Sequence, residues 1–153
     1  MRRRVIEKNE ELVEIINKCD VCYVSMVSGD GSPYVVPMNF GFDDGILFLH
    51  GAKTGKKMEL LAGNPRVCIA FSTDHELRYQ NEQVACSWSM KYRSVLLFGE
   101  VELIVDDQQK AEALNVIMRK YAGREFNYGL PALREVQPFR VVPARIDGRA
   151  YGL

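Results

Sequence analysis

Residues 33–57 read PYVVPMNFGFDDGILFLHGAKTGKK, and this stretch decides the fold. Its first ten residues favour an extended chain, and Asp43-Asp44-Gly45 is a turn sequence that leads into the apolar run 46–50. A glycine-containing segment follows, and a helix is predicted to begin at Lys56. The stretch therefore predicts two strands separated by a turn, with a short helix after the second strand.

Similar patterns extend the prediction along the chain. Leu12, Ile15 and Ile16 give residues 7–18 an apolar face, which predicts an amphipathic helix. Asp106 is a candidate N-cap with Gln109 three residues on, and the helix it starts is predicted to end at Gly123. The helix that begins at Lys56 is predicted to end near residue 62, and a loop is predicted at 73–82. A strand at 21–27 is predicted to form a hairpin with 33–42. Further strands are predicted at 66–72, at 139–146 and within 84–105, where two strands would join near 90–92.

The predicted fold is mainly β with peripheral helices, an α+β protein with six or seven short antiparallel strands. A closed barrel is the economical arrangement, because closure leaves no exposed sheet edge. No internal repeat or linker interrupts the sequence. Residues 1–153 are therefore expected to form a single domain.

Composition and charge exclude several classes of protein. The 153 residues are 47% hydrophobic and 26% charged, which is typical of a globular domain. Lys plus Arg and Asp plus Glu both total 20, so no overall positive charge would attract nucleic acid or an anionic membrane. No secretory leader or membrane-length apolar segment is recognisable, and the four cysteines are expected to be reduced thiols. We therefore expect a cytoplasmic protein.

The segment His50-Gly51-Ala52-Lys53-Thr54-Gly55-Lys56-Lys57 is the first candidate binding site. Three lysines crowd the predicted start of a helix, although the helix dipole there is already positive. Free backbone N–H groups, the Thr54 hydroxyl and the ammonium groups of Lys56 and Lys57 together suit a phosphate. A nucleotide-triphosphate P-loop is excluded, because its glycines are spaced differently and it needs Ser or Thr where Lys57 stands. The alternative is a solvated helix end with ordinary surface lysines.

The second candidate site is the segment Ser87-Trp88-Ser89-Met90-Lys91-Tyr92-Arg93-Ser94. Arg93 would form two hydrogen bonds with a phosphate or a ring carbonyl, and Trp88 or Tyr92 would cover a flat ring system. An aromatic phosphoester would suit both groups. The alternative is that the two aromatic side chains only pack in the barrel or at an interface.

The remaining motifs do not support a metal site or hydrolytic chemistry. Cys19 and Cys22 have CxxC spacing, but the sequence lacks a second CxxC and the strand-to-helix context of a thiol redox site. His50 is of interest only because it adjoins the phosphate candidate. No nucleophile with a paired base and no pair of carboxylates is recognisable.

In the order of its motifs the chain resembles the FMN-binding split-barrel superfamily, the group of pyridoxamine 5'-phosphate oxidase, and within it the nitroimidazole-resistance-like branch. The matching stretches are 36–40, 47–52 with Gly55-Lys56-Lys57, 64–67, and 92–95 through 98–99. The resemblance spans nearly the whole chain. It implies a split barrel and a homodimer with a flavin, FMN or alternatively FAD, in the groove between the two protomers.

The resemblance also implies which residues contact the flavin. Those expected around the ring and ribityl chain, largely through backbone groups, are Pro37, Met38, Asn39, Phe40, His50, Gly51 and Ala52. Those expected to bind the phosphate are Thr54, Lys56 and Lys57. Tyr92, Arg93 and Ser94 would lie near the cofactor, and Trp88 would reach it from the partner subunit.

The leading hypothesis is an FMN-dependent oxidoreductase that takes electrons from a reductant and passes them to a small electrophile, such as a nitroimidazole-type compound. His50 is the candidate catalytic residue, because the resemblance places it where the resistance-like branch has a histidine near the flavin. Two alternatives stay open. One is a flavin-binding sensor or carrier without turnover, and the other is a split barrel that holds haem or a deazaflavin.

Overall fold

The computed structural model describes residues 2–152, which form eight strands and four helices. The strands are β1 (Arg3–Ile6), β2 (Cys22–Val27), β3 (Pro33–Met38), β4 (Gly41–Asp43), β5 (Ile46–Ala52), β6 (Arg66–Arg78), β7 (Ser89–Leu103) and β8 (Val136–Tyr151). The helices are α1 (Asn9–Lys18), α2 (Lys56–Gly63), α3 (Asp107–Ala122) and α4 (Leu130–Glu135), and a 3₁₀ turn spans Ala85–Ser87.

The strands form one antiparallel sheet in the order β3-β2-β6-β7-β8-β5-β4, with β1 paired to β8. Within residues 2–152, β3 and β4 end this path without pairing to each other, so the barrel is split. The predicted split barrel of mainly β, α+β type is confirmed, and the expectation of a closed barrel is wrong. Two features suit β3 to an edge: Pro33 and Pro37 cannot donate ladder hydrogen bonds, and proline protects an exposed edge from further pairing.

The longest strand, β8, organises the sheet. Along one side it pairs with β7 over residues 139–151. Along the other side it pairs with β5 over residues 136–141 and with β1 over residues 148–151. The ends of β8 therefore carry different neighbours, and each end borders one of the two candidate sites.

The structure has more strand than the sequence predicts. The short, charged β1 was not expected, and β6 continues through the predicted loop at 73–82 as far as Arg78, with a bulge between Thr73 and Glu76. β7 is one strand where two were predicted, and β8 runs through the predicted turn at Asp147-Gly148. Bulges let long barrel strands bend, so polar residues that signal a loop lie within a strand instead.

Two local predictions are confirmed in detail. The Asp106 carboxylate accepts a hydrogen bond of 3.0 Å from the Gln109 N–H, and α3 ends at Gly123 as expected. Asp44 and Gly45, between β4 and β5, have φ of 49° and 76°, the positive pair that a tight hairpin turn needs.

The core fills the inside of the split barrel, and α1 contributes the buried Leu12, Ile15 and Ile16 to it. α3 packs against β4, β5 and β8. No helix among residues 2–152 combines the length and the apolar character needed to cross a membrane. The largest fully buried side chains are Phe40, Phe71, Phe139, Ile16, Met26, Leu47, Leu49, Ile69, Leu97, Ile104, Val24 and Val95.

Candidate functional site

The first candidate segment joins the end of β5 to the start of α2, as the sequence predicts. Gly55 is the N-cap of α2, and its φ of 118° is readily adopted only by glycine. Among residues 2–152, no side chain caps this helix start. The first N–H groups of a helix have no partner within the helix, so those of α2 are available to a ligand.

Lys57 folds back over the end of β5. A Cβ built on Gly51 would lie 2.9 Å from Lys57 Nζ, so the glycine makes room for the ammonium group. Lys56 extends the other way, and its Nζ lies 4.7 Å from the centre of the Tyr34 ring on β3. The two lysines predicted to hold a phosphate are therefore positioned by contacts with two different strands.

Positive charge accumulates at this helix start. Lys53, Thr54 and Lys56 are exposed. Within the described residues, neither these two lysines nor Lys57 forms an ion pair with a carboxylate. An anion placed there would meet lysine charge and free helix N–H groups together. The arrangement suits a phosphate group.

His50 is half-buried at the end of β5, opposite Pro138 on β8. Burial, and to a smaller extent the positive charge of Lys57, lower the pKa of His50 below its usual value. The imidazole is therefore mainly neutral at pH 7, and it offers one hydrogen-bond donor and one acceptor.

The residues predicted to contact the ring at the end of β3 alternate between exposed and buried positions. Pro37 and Asn39 are exposed, whereas Met38 and Phe40 are core side chains at 7% and 0% exposure. Met38 and Phe40 have only backbone groups to offer a ligand. The Phe40 N–H already donates to the Tyr121 hydroxyl at 3.2 Å.

The second candidate segment includes the 3₁₀ turn and the start of β7. The Trp88 ring stacks on Tyr79 with centroids 4.3 Å apart, and its Nε1–H donates to the carbonyl of Glu82 at 3.1 Å. Tyr92 lies against Tyr151 of β8 at 5.7 Å. Both aromatic side chains have packing partners within the chain and still have partly exposed faces.

Arg93 lies on the opposite face of β7 from Tyr92 and Ser94, and its guanidinium binds backbone carbonyls. One nitrogen of its guanidinium, Nη1, donates to the carbonyls of Tyr92, Tyr151 and Gly152 at 2.9 to 3.3 Å. The guanidinium therefore ties the end of β8 to β7 through this nitrogen. Tyr92 and Ser94 alternate with Arg93 and lie on the other face of the sheet.

The structure does not bring the two segments together within one chain. His50 pairs with Pro138 at one end of β8, whereas Arg93 pairs with Ala150 at the other end. At ~3.3 Å per residue, about 40 Å of strand separates the two positions. A ligand lying along β8 would have to span this length of strand to contact both segments of the same chain.

Three partners at these sites were not found from the sequence. Tyr34 beneath Lys56 and Tyr79 beneath Trp88 come from other parts of the chain, and Tyr151 is next to the chain's last glycine. The contact of Tyr92 with Tyr151 depends on the register of β7 against β8. The other two depend on how the start of α2 and the turn before β7 pack on distant residues. The one available signal was that all three are tyrosines, a residue often found where a site is partly exposed.

Cys19 and Cys22 are buried, Cys68 is half-buried and Cys86 is exposed. All four are free, and the Cys19 and Cys22 thiols donate to backbone carbonyls of Ile15 and Met38. Burial raises the pKa of Cys19, and it raises the pKa of Cys22 to about 12. Residues 2–152 contain no group of three or more His, Cys, Asp or Glu side chains that could hold a metal ion.

Comparison with known proteins gives a consistent result. The family model described as pyridoxamine 5'-phosphate oxidase matches residues 8–150. A Bacteroides thetaiotaomicron protein, named in its crystal structure for 5-nitroimidazole antibiotic resistance, is 41% identical; the match covers 99% of this chain and 89% of that one, with a TM-score of 0.89. No curated protein sequence gives a match.

Two more distant structures share the fold. One is a flavocytochrome from Azotobacter vinelandii, with 20% identity over 97% of this chain and 70% of that one and a TM-score of 0.82. The other is an FAD and haem binding protein from Mycobacterium smegmatis, with 18% identity over 100% of this chain and 75% of that one and a TM-score of 0.84.

Proposed function

Because the chain belongs to the pyridoxamine 5'-phosphate oxidase family, we propose that it is an FMN-binding oxidoreductase that reduces small electrophiles, among them nitroimidazole-type compounds. The observation that carries the proposal is the junction of β5 and α2. There, within the part of the chain that the structure describes, the helix start has no side-chain cap and the lysines have no carboxylate partner, which suits a phosphate. The similarity to a protein named for 5-nitroimidazole resistance supports the choice of acceptor.

The phosphate of FMN would bind at the start of α2. Lys56, Lys57 and the Thr54 hydroxyl would donate to its oxygens, together with the first N–H groups of the helix. The contact between Lys57 and Gly51 supports this assignment, because it holds the ammonium group beside the strand end.

The ring and ribityl chain would lie along the ends of β3 and β5. The exposed Pro37 and Asn39 would contact them with side chains, whereas Met38 and Phe40 are limited to backbone contacts. His50 would present a neutral imidazole there, able to donate a hydrogen bond to a ring atom or to a substrate. When bound, FMN would supply the electron-transfer chemistry.

A second copy of the chain would complete the site. The Trp88, Tyr92 and Ser94 segment lies at the far end of β8 from His50. A second protomer would bring this segment to the His50 end. An apolar outer sheet face supports such a dimer: Tyr23, Val35 and Leu96 are 48%, 59% and 39% exposed on β2, β3 and β7. The outer face of an antiparallel sheet is normally polar.

The first test is the visible spectrum of the purified protein before and after addition of FMN and removal of the excess. Flavin bands on a species of twice 17.4 kDa are the expected result. A haem band would instead support the haem alternative. Anaerobic reoxidation of the dithionite-reduced complex by a 5-nitroimidazole would support turnover, and stable reduced flavin in the presence of nitro compounds and quinones would leave only a flavin-binding module.

The phosphate assignment is tested by Lys56→Ala/Lys57→Ala. Charge-assisted hydrogen bonds contribute roughly 1.5 to 3 kcal/mol each, so FMN affinity should fall at least tenfold. The control Lys8→Ala/Arg124→Ala removes two exposed cations elsewhere and should bind FMN as the wild type does. Equal affinity in both double variants would move the phosphate away from α2.

The interface assignment is tested by Val35→Lys, which places a charge on the apolar outer face. Light scattering should detect a shift from dimer to monomer, and FMN should be lost in parallel because the second copy completes the site. Val105→Lys is the control, because Val105 is 79% exposed beyond the end of β7. A Val35→Lys protein that stays dimeric would overturn this interface.

A further inference from the structure

A lysine near the end of α3 lies against the segment along which the flavin ring is proposed to bind. The Lys120 Nζ lies 4.6 Å from the centre of the Phe40 ring. It also donates at 2.8 Å to the carbonyl of Asn17, in the last turn of α1. The next residue, Tyr121, accepts a hydrogen bond of 3.2 Å from the Phe40 N–H. The Lys120 ammonium group is therefore held beside the link from β3 to β4.

The charge of Lys120 is not neutralised by a contact. Its ammonium group forms no ion pair with a carboxylate of residues 2–152. Asp20 attracts it only from beyond ion-pair distance. A hydrogen bond to a carbonyl and contact with an aromatic ring both favour the charged form of a lysine. Lys120 therefore brings a net positive charge to the link from β3 to β4.

The surroundings of Lys120 strengthen the effect of its charge. The side chain is half-buried, and its neighbours Phe40, Cys19 and Cys22 are buried. Burial lowers the pKa of Lys120 below its usual value, because the ammonium group is incompletely hydrated. Water screens a half-buried charge less than an exposed one, so its field reaches further. Lys120 can therefore act on a group that it does not touch.

Reduction changes the charge of a flavin ring. Two electrons and one proton convert the neutral ring into an anion, and a nearby positive charge stabilises the anion more than the neutral ring. We propose that Lys120 raises the reduction potential of the bound FMN by attracting the reduced, anionic ring. This inference rests on the proposed function and adds a residue to it, because Lys120 is not among the residues predicted to bind the cofactor.

The lysines of α2 differ from Lys120 in their expected partner. Lys56 and Lys57 would face the FMN phosphate, whose negative charge is present in both redox states and offsets theirs. The alternative for Lys120 is a purely structural role, in which it only binds the Asn17 carbonyl at the end of α1. A structural role would change the stability of the protein but would affect oxidised and reduced FMN equally.

The test is the reduction potential of FMN bound to the full chain, measured by anaerobic dithionite titration with a reference dye. Lys120→Met should weaken the binding of reduced FMN roughly three- to tenfold more than that of oxidised FMN. For a two-electron couple this ratio is a fall in potential of about 15 to 30 mV. Lys120→Gln, which keeps a hydrogen-bond donor, should lower the potential in the same way. Lys120→Arg, which keeps the charge, should leave it near the wild-type value.

The matched control is Lys8→Met, because Lys8 is an exposed lysine at the start of α1, about 14 Å of helix away from Asn17. Urea denaturation of each variant separates a loss of stability from a change in potential. Equal potentials in Lys8→Met and in both neutral variants of Lys120, or an equal fall in Lys120→Arg, would overturn this inference and leave the proposed function intact. A wild-type chain that binds no FMN would overturn both.

Discussion

The ammonium group of Lys57 lies over the backbone of Gly51, so close that a Cβ on residue 51 would require the lysine side chain to shift. The contact joins the first turn of α2 to the end of β5. It therefore couples the proposed phosphate contact to the strand that would carry the flavin ring. Either residue can be changed without disturbing the hydrophobic core, since Gly51 and Lys57 are both outside it.

Gly51→Ala should weaken FMN binding several-fold while the protein stays folded. The new methyl group would displace Lys57 Nζ and Cε by a few tenths of an ångström or more, since Cβ would meet them at 2.9 and 3.0 Å. Gly63→Ala, at the other end of α2, is the control, because a Cβ there meets nothing within 4 Å. Flavin fluorescence titration measures the effect, and equal FMN affinity in the two variants would disprove the coupling.

Lys57→Gln should raise the pKa of His50, because the lysine charge disfavours the imidazolium. The pKa should remain below about 6.5, the unperturbed value, since burial is the larger cause of its depression. The sequence has only two histidines, so an NMR titration resolves His50 readily. Lys56→Gln is the control. A larger rise in the His50 pKa in Lys56→Gln than in Lys57→Gln would show that Lys57 is not the charge that lowers it.

The depressed pKa of His50 also predicts how stability depends on pH. The unfolded chain takes up a proton at His50 at higher pH than the folded protein does. The stability contribution is therefore complete above about 6.5 and is lost as pH falls through the folded pKa. His50→Gln should flatten the slope of unfolding free energy against pH between about 5 and 7, as measured by urea denaturation. An unchanged slope would show that His50 does not cause the pH dependence of the unfolding free energy.

The sequence predicted the local features of the fold better than its long-range ones. The caps of α3, the turn at Asp44-Gly45 and the start of α2 depend on residues within a few positions of one another. The continuity of β6 through Asp74 and the pairing of β1 with β8 depend on partners far along the chain. The candidate phosphate segment was predictable for the same reason, since it is local.

The relation between the two candidate segments was not predictable from the sequence. Neither His50 nor Tyr92 carries a signal of its strand register, and register alone places them at opposite ends of β8. The three carbonyl contacts of Arg93 were missed likewise, because they depend on where β8 ends.

Of the four thiols, only Cys86 should react rapidly with a disulfide reagent at pH 8. Cys86 is exposed, whereas Cys19 and Cys22 are buried and their raised pKa values keep both as thiols. Cys68 is half-buried with a raised pKa and should react more slowly than Cys86. Cys86→Ser should abolish the fast phase, and unfolding should expose the remaining three. A fast phase that survives in Cys86→Ser would show that the Cys19-to-Cys22 segment opens readily.

Tyr121→Phe should destabilise the fold by about 1 to 3 kcal/mol, because one hydroxyl serves two backbone groups. It donates to the Asp20 carbonyl at 2.6 Å and accepts from the Phe40 N–H at 3.2 Å, so α3 holds both the start of β2 and the link from β3 to β4. Its ring is 41% exposed and adds little packing.

Tyr128→Phe is the matched control for this hydroxyl. Its hydroxyl donates to Asn115 Oδ1, which also accepts from the Phe126 N–H, so removing the hydroxyl leaves no backbone group unpaired. The expected loss is therefore below about 1 kcal/mol. Urea denaturation of both variants measures the difference. Equal losses of unfolding free energy in the two variants would show that the hydrogen bond between Tyr121 and Phe40 does not stabilise the fold. This hydrogen bond lies next to Asn39, which is proposed to contact the flavin.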